Sequence, residues 1–307
     1  MKEFNFKRFV GIDWSGAEAE SQAGIQVAQV HCQTKRIELI APSNGRNWSR
    51  QGILKLLGSF ETDCRTLVGL DFAFSVPWHS EEGIIPACLG KMEGVRDLWA
   101  LIDHLCRDVA HFYGGPVWLS DESPFRPFIH LWSQTKSYER KVTDSLLLRK
   151  TEKKARTEMG LRPKSVYQMA GPQVGAGSFA GMRVLHALGL NRRSDIAIWP
   201  FDQIEDAMVV IVEVYPALFY CKAAKRRPTK SQVKSGAYKK IVGDVLQFYG
   251  CSYNTELPAS VDAMDALIST AAICSLFQQA SSLIVPRDAD VSNKEGWILG
   301  VPAGERT

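Results

Sequence analysis

Phe9-Val10-Gly11-Ile12-Asp13-Trp14-Ser15-Gly16 is the stretch on which the reading of this chain turns. Apolar residues run up to a carboxylate and Ser15-Gly16 then offers a turn, so the segment reads as a strand with Asp13 at its C-terminal end. Working outward, Gly24 to Val30 alternates Ile25, Val27 and Ala28 with polar neighbours, and Arg36 to Ala41 carries Ile37, Leu39 and Ile40 after the polar Gln33-Thr34-Lys35. These predict second and third strands that form a meander with the first. Trp48, Ile53, Leu56 and Leu57 recur at helical spacing within Trp48 to Phe60, and the apolar run from Thr66 to Leu70 predicts a fourth strand ending at Asp71.

Beyond that point, from about residue 76 to residue 200, the chain is rich in Trp, Gly and Pro, with helical segments near Val95 to Phe112 and Ser145 to Met159. This region reads as a long insertion or cap over the first four strands. Met208-Val209-Val210-Ile211-Val212 within Ala207 to Val214 is a β-branched run suited to a strand buried on both faces, and it carries Glu213 at its end. Ser260 to Gln278 is helical by composition. The order β-β-β-α-β, insertion, β-α predicts an α/β domain with a mixed five-stranded sheet and flanking helices, spanning residues 1–307 as one domain.

The bulk numbers bound the function without naming it. A chain of 307 residues with 45% hydrophobic and 23% charged residues is long enough and apolar enough for a substantial core. The start of the chain, with Lys2, Glu3, Lys7 and Arg8, leaves no room for an apolar signal core, and the most apolar stretch, Ala207 to Cys221, is interrupted by Glu213 and Pro216. No membrane span and a cytoplasmic location are therefore expected. Seven scattered cysteines, with no Cys-x-x-Cys, fit reduced thiols better than disulfides or zinc. The net charge is only +4, yet no acidic residue falls between Tyr215 and Gly243, where Lys222, Lys225, Arg226, Arg227, Lys230, Lys234, Lys239 and Lys240 all lie. Such a run is either a solvated face or a surface for phosphates, with Lys225, Arg226 and Arg227 the candidate contacts.

The carboxylates carry the chemistry. Asp13, Asp71 and Glu213 each stand where a strand gives way to a loop, the place where α/β sheets assemble ligand sites. Asp262 and Asp265, three apart, project from one face of the last helix, and small Ala263 and Ala266 allow that face to approach the sheet. Carboxylates gathered this closely raise one another's pKa unless cations neutralise them. Two hard divalent ions, Mg²⁺ or Mn²⁺, resolve the conflict and serve in-line displacement at phosphorus with oxygen ligands alone. For any one residue the plain alternative stands: Asp is a common turn former, and Asp262 also suits a helix N-terminus.

Gly11-Ile12-Asp13-Trp14-Ser15, Gly69-Leu70-Asp71, Glu213-Val214-Tyr215-Pro216, Asp262-Ala263-Met264-Asp265-Ala266 and Glu295-Gly296-Trp297-Ile298 resemble the signature segments of the predicted nuclease family called domain of unknown function 429. That family is placed in the ribonuclease H-like superfamily, and the resemblance runs from Phe9 to Val301, its specificity lying in the order and spread of short motifs. Gly171 to Ser178 also resembles a family segment, which implies that the insertion returns to the active site. The pattern is similar to Holliday-junction resolvases, which implies metal-binding catalytic roles for Asp13, Asp71, Asp262 and Asp265. Asp71 stands where those resolvases carry a longer Glu, and Glu213 has no counterpart there.

The expectation is a metal-dependent nuclease that cleaves a nucleic acid, DNA or RNA, or a small phosphodiester, with Asp13 bridging the metals and Ser15 among the substrate contacts. A non-catalytic module on the same fold, binding nucleic acid or protein, is the competing class, separable by metal affinity. An actin-like ATPase would need a second phosphate loop with glycine, which Asp71-Phe72-Ala73 lacks. The Gly175-Ala176-Gly177 spacing does not match a dinucleotide fingerprint, and there is no Gly-x-Ser-x-Gly elbow.

Overall fold

The computed structural model describes residues 5–43, 45–60, 64–79, 85–129, 147–169, 174–191, 193–279, 283 and 287–303. The first part of the chain forms β1 (Arg8–Asp13), β2 (Gln26–His31), β3 (Arg36–Leu39), α1 (Arg50–Ser59) and β4 (Thr66–Leu70). Then come α2 (Val95–Leu105), α3 (Pro116–Leu119), α4 (Lys150–Met159), α5 (Val174–Leu190), β5 (Ile196–Ile198) and β6 (Val209–Glu213). The last part holds α6 (Pro216–Lys222), α7 (Lys230–Lys234), α8 (Tyr238–Phe248), β7 (Ser252–Tyr253) and α9 (Val261–Gln279).

The strands make one mixed sheet in the order β5-β6-β4-β1-β2-β3-β7, with β2 antiparallel to both its neighbours and every other pairing parallel. The sheet has seven strands, not the five expected. The additional edge strands, Ile196-Ala197-Ile198 and Ser252-Tyr253, are too short to show a period in sequence. β5 also lies inside the stretch assigned to the insertion, so that stretch ends before it rejoins the sheet. The predicted helix from Ser145 begins at Lys150, with Ser145 and Leu146 outside the described residues.

Alternation along the central strands divides two cores. Val10, Ile12, Val68, Leu70, Val209 and Ile211 pack under Ile53 and Leu57 of α1, Leu98 and Ile102 of α2 and Phe179 and Met182 of α5. Phe9, Leu67, Val210 and Val212 face Met264, Leu267 and Ile268 of α9 and Val242 and Val245 of α8. The long central segment thus contributes α2 and α5 to a layer that also includes α1. α9 is buried on nearly all sides, as a helix lying on a sheet and covered by α6 and α8 must be.

α9 comes against β1 at Gly11. A Cβ there would stand 2.6 Å from Thr270 Oγ1 and 2.7 Å from the Ala266 carbonyl, so only glycine lets α9 lie this near β1. Thr270 Oγ1 also lies 3.1 Å from the Ala28 carbonyl, tying α9 to β2. All seven cysteines are free thiols, and no described helix is long and apolar enough to cross a membrane.

Candidate metal centre

Asp13 ends β1 on the α9 side of the sheet, since it alternates with Phe9 and Gly11, and it is buried. Asp71 follows β4 directly, and its N–H donates to the Ile12 carbonyl at 3.0 Å, which fixes it beside Asp13. α9, drawn onto Gly11, brings Asp265 to the same point from above. Asp13, Asp71 and Asp265 each offer a carboxylate oxygen, and the three oxygens lie within 4.8 Å of one another. Asp262 lines the same cavity, one turn earlier on α9, but is not within that trio.

The cavity, about 350 Å³, is also lined by Trp14, Phe72, Lys164, Tyr215 and Arg227. The Trp14 and Phe72 rings form an apolar wall, their centroids 4.9 Å apart. Val174 and Gly177 of α5 contribute too, so the described part of the Gly-rich segment does return to this place; Gly171, Pro172 and Gln173 lie outside the described residues. The fit is close, because a Cβ at Gly16 would collide with the backbone of Ala176 and Gly177.

Burial and mutual repulsion set the protonation. Burial, then the charges of Asp71, Asp265 and Asp262, push the Asp13 carboxyl well above its ordinary range, against a smaller opposing pull from Arg227. Burial raises Asp71 to about 7 and Asp265 to about 8, Arg227 being the main opposing influence in each case. Asp262 is raised as well, chiefly by burial. Asp265 Oδ1 is buried without a hydrogen-bond partner among the described residues, beside the equally buried hydroxyl of Tyr220. An all-oxygen donor set with an unsatisfied buried carboxylate oxygen fits a hard divalent cation.

Glu213 does not join this set. Its register partner on β4 is Leu70, so it points to the opposite face of the sheet from Asp13. There its oxygens are taken by the fully buried Arg149, one pair at 2.8 Å, and by the Phe74 N–H at 3.0 Å. Arg149 also grips Glu152 through two guanidinium nitrogens at 2.8 and 3.0 Å. With Ser178 Oγ accepting from the Ala73 N–H at 3.0 Å, this network anchors the loop that follows Asp71. Glu213 is therefore a support of the loop and not a member of the carboxylate trio.

The three basic candidates separate. Ala224, with φ of 54°, turns the chain back at the end of α6, and the Lys225 N–H closes that turn on the Tyr220 carbonyl at 2.9 Å. Arg227 then reaches into the cavity and pairs with Asp265. Lys225 instead binds Asp244 at 2.8 Å, and Arg226 is exposed and does not line the cavity. Lys239 and Lys240 of α8 pair with Glu256, beyond β7, and with Asp244, so the acid-free run is not one patch once it is folded into three helices. Ser15 does not line the cavity either: its hydroxyl accepts from the Ala17 N–H at 3.3 Å and its carbonyl is held by the buried Arg50.

Arg149, Glu152 and Tyr220 were not singled out in the sequence. Arg149 and Glu152 carried a usable sign, a carboxylate at the third helical position that reaches back to accept from the Arg149 N–H at 2.9 Å. Tyr220 carried none. No protein-family model, no curated protein and no solved structure matches the chain.

Proposed function

We propose that this chain is a divalent-metal-dependent nuclease on a ribonuclease H-like fold, of the kind the resemblance to domain of unknown function 429 implies. The observation that carries the proposal is the convergence of Asp13, Asp71 and Asp265 to within 4.8 Å, in a cavity that also takes in Asp262 and Arg227. The inner strand order β3-β2-β1-β4-β6, with β2 alone antiparallel, is compatible with that fold. Two edge strands are then additions to it.

Asp13, Asp71 and Asp265 would together hold the ions in this reading, with Asp13 facing the charges of Asp71, Asp265 and Asp262. Two bound Mg²⁺ or Mn²⁺ ions would supply Lewis-acid stabilisation of phosphorane charge and a nucleophilic water at neutral pH. The chain's own part is to hold and orient. Asp71 and Asp265 flank Asp13, Arg227 offers a planar cation to a non-bridging phosphate oxygen, and the wall of Trp14 and Phe72 limits water on one side. Arg227, paired with Asp265 here, would be free to turn to a phosphate if cations neutralised the carboxylates.

The same Arg227 pair favours a second reading, a non-catalytic module in which the arginine is the resident cation. A calorimetric Mn²⁺ titration separates the two. Saturable binding to the wild type, lost in Asp13→Asn together with metal-dependent cleavage of an oligonucleotide, is expected from the nuclease. Equal heats for both proteins, or an Asp13→Asn variant with full turnover, would leave only the module.

A further inference from the structure

A second cavity, of about 380 Å³, lies at the C-terminal end of α4, lined by Arg156, Gly160, Leu161, Arg162 and Lys164. Among the described residues its lining holds three cations and no acid. Lys164 lines the carboxylate cavity as well, so the two spaces adjoin through one side chain. Gly160, at φ of 64°, ends α4 and turns residues 161–164 back beside the helix, which gathers the three cations.

Among the described residues none of the three forms an ion pair, whereas the neighbouring Lys154 is matched by Glu158 at 2.6 Å. Arg156 gives one guanidinium nitrogen to the Pro163 carbonyl at 3.3 Å, and its Nε is buried without a partner. Unmatched cations this close together repel one another and hold a standing capacity for an anion.

We infer that this cavity binds a backbone phosphate flanking the one held at the carboxylates, so that the substrate is a nucleic-acid strand and not a small phosphodiester. The inference rests on the nuclease reading of the neighbouring cavity. A small diester presents a single phosphate, which the carboxylate centre with its metals and Arg227 already accommodates. A strand brings a second phosphate close to Asp13, Asp71, Asp262 and Asp265, where it is repelled unless cations accompany it. Arg156, Arg162 and Lys164 supply them in the adjoining cavity. The rival account is that these cations serve only the negative end of α4.

Fluorescence anisotropy of a labelled oligothymidylate tests this, with Ca²⁺ replacing Mg²⁺ and the salt concentration varied. The Arg162→Gln/Lys164→Gln protein, checked for folding by its thermal melt, is expected to bind about ten-fold or more weaker, with a log–log salt slope shallower by about 1.4 for two lost contacts. Lys239→Gln/Lys240→Gln, the same charge change on α8, is expected to bind as the wild type does. Equal losses in both variants, or none in the first, overturn the inference. So does a wild type that hydrolyses bis(p-nitrophenyl) phosphate with Mn²⁺ but does not bind the strand, an outcome that leaves the metal centre standing. Strand binding that needs Arg162 and Lys164, without any metal-dependent hydrolysis, upholds the phosphate cavity and sinks the nuclease reading instead.

Discussion

Glu213 is one register step short of Asp71: it pairs with Leu70 across β4 and β6 and shares that residue's face, where Arg149 awaits it. A one-residue offset in a strand reverses the side on which a side chain emerges, so two carboxylates at neighbouring strand ends have different fates. Asp13 is buried and Asp71 half-buried with too little positive charge, while Glu213 and Glu152 are buried with a guanidinium that satisfies them both. Glu213→Gln is expected to bind Mn²⁺ with unchanged stoichiometry while its melting temperature falls, because Gln keeps the shape but weakens the hold on Arg149 and the Phe74 N–H by about 1–3 kcal/mol. Loss of a metal equivalent in the same calorimetric experiment would return Glu213 to the ligand set.

At the scale of elements, the site exists because α9 can touch β1. Gly11→Ala must push Thr270 and the Ala266 carbonyl away, and overpacking of this kind costs about 1–3 kcal/mol. Since Asp265 rides on the displaced helix, Mn²⁺ affinity should fall as well. Gly243→Ala in α8 is the contrasting case, with open space around its Cβ, and should raise stability by about 0.5–1 kcal/mol without changing metal affinity. Urea unfolding and calorimetry on the two variants check both; stable, fully metal-competent Gly11→Ala protein would show that the helix has room to yield. The strand ends at Asp13 and Asp71 and the Asp262-x-x-Asp265 helix were legible because each is written in local periodicity. The partners of Arg227 and Glu213 were not, because each depends on a single turn or a single register step that composition does not record. The acid-free run likewise looked continuous only because Asp244 and Glu256 lie outside it in sequence and beside it in space.

On the scale of the molecule, a sheet with a core on each face is stable enough to hold, at its C-terminal edge, a knot of carboxylates that opposes folding. Asp71 at about 7 and Asp265 at about 8 both bind a proton more tightly in the folded chain than their ordinary value of 3.8 allows in the unfolded one. Their contribution favours folding fully below about pH 4 and is lost as the pH climbs through 7 and 8, where the carboxylates must ionise against burial and one another. The metal-free protein in EDTA is therefore expected to melt at a lower temperature at about pH 8.5 than at about pH 5.5. A divalent ion reverses the penalty by replacing the protons, so its affinity rises with pH and so does the stabilisation it confers at a fixed concentration. Thermal melts in EDTA and in excess Mg²⁺ at the two pH values should show a larger metal-induced rise at the higher one. A rise of equal size at both would mean that the bound ion displaces no protons from these carboxylates, and that Arg227, not a metal, is the cation for which they are arranged.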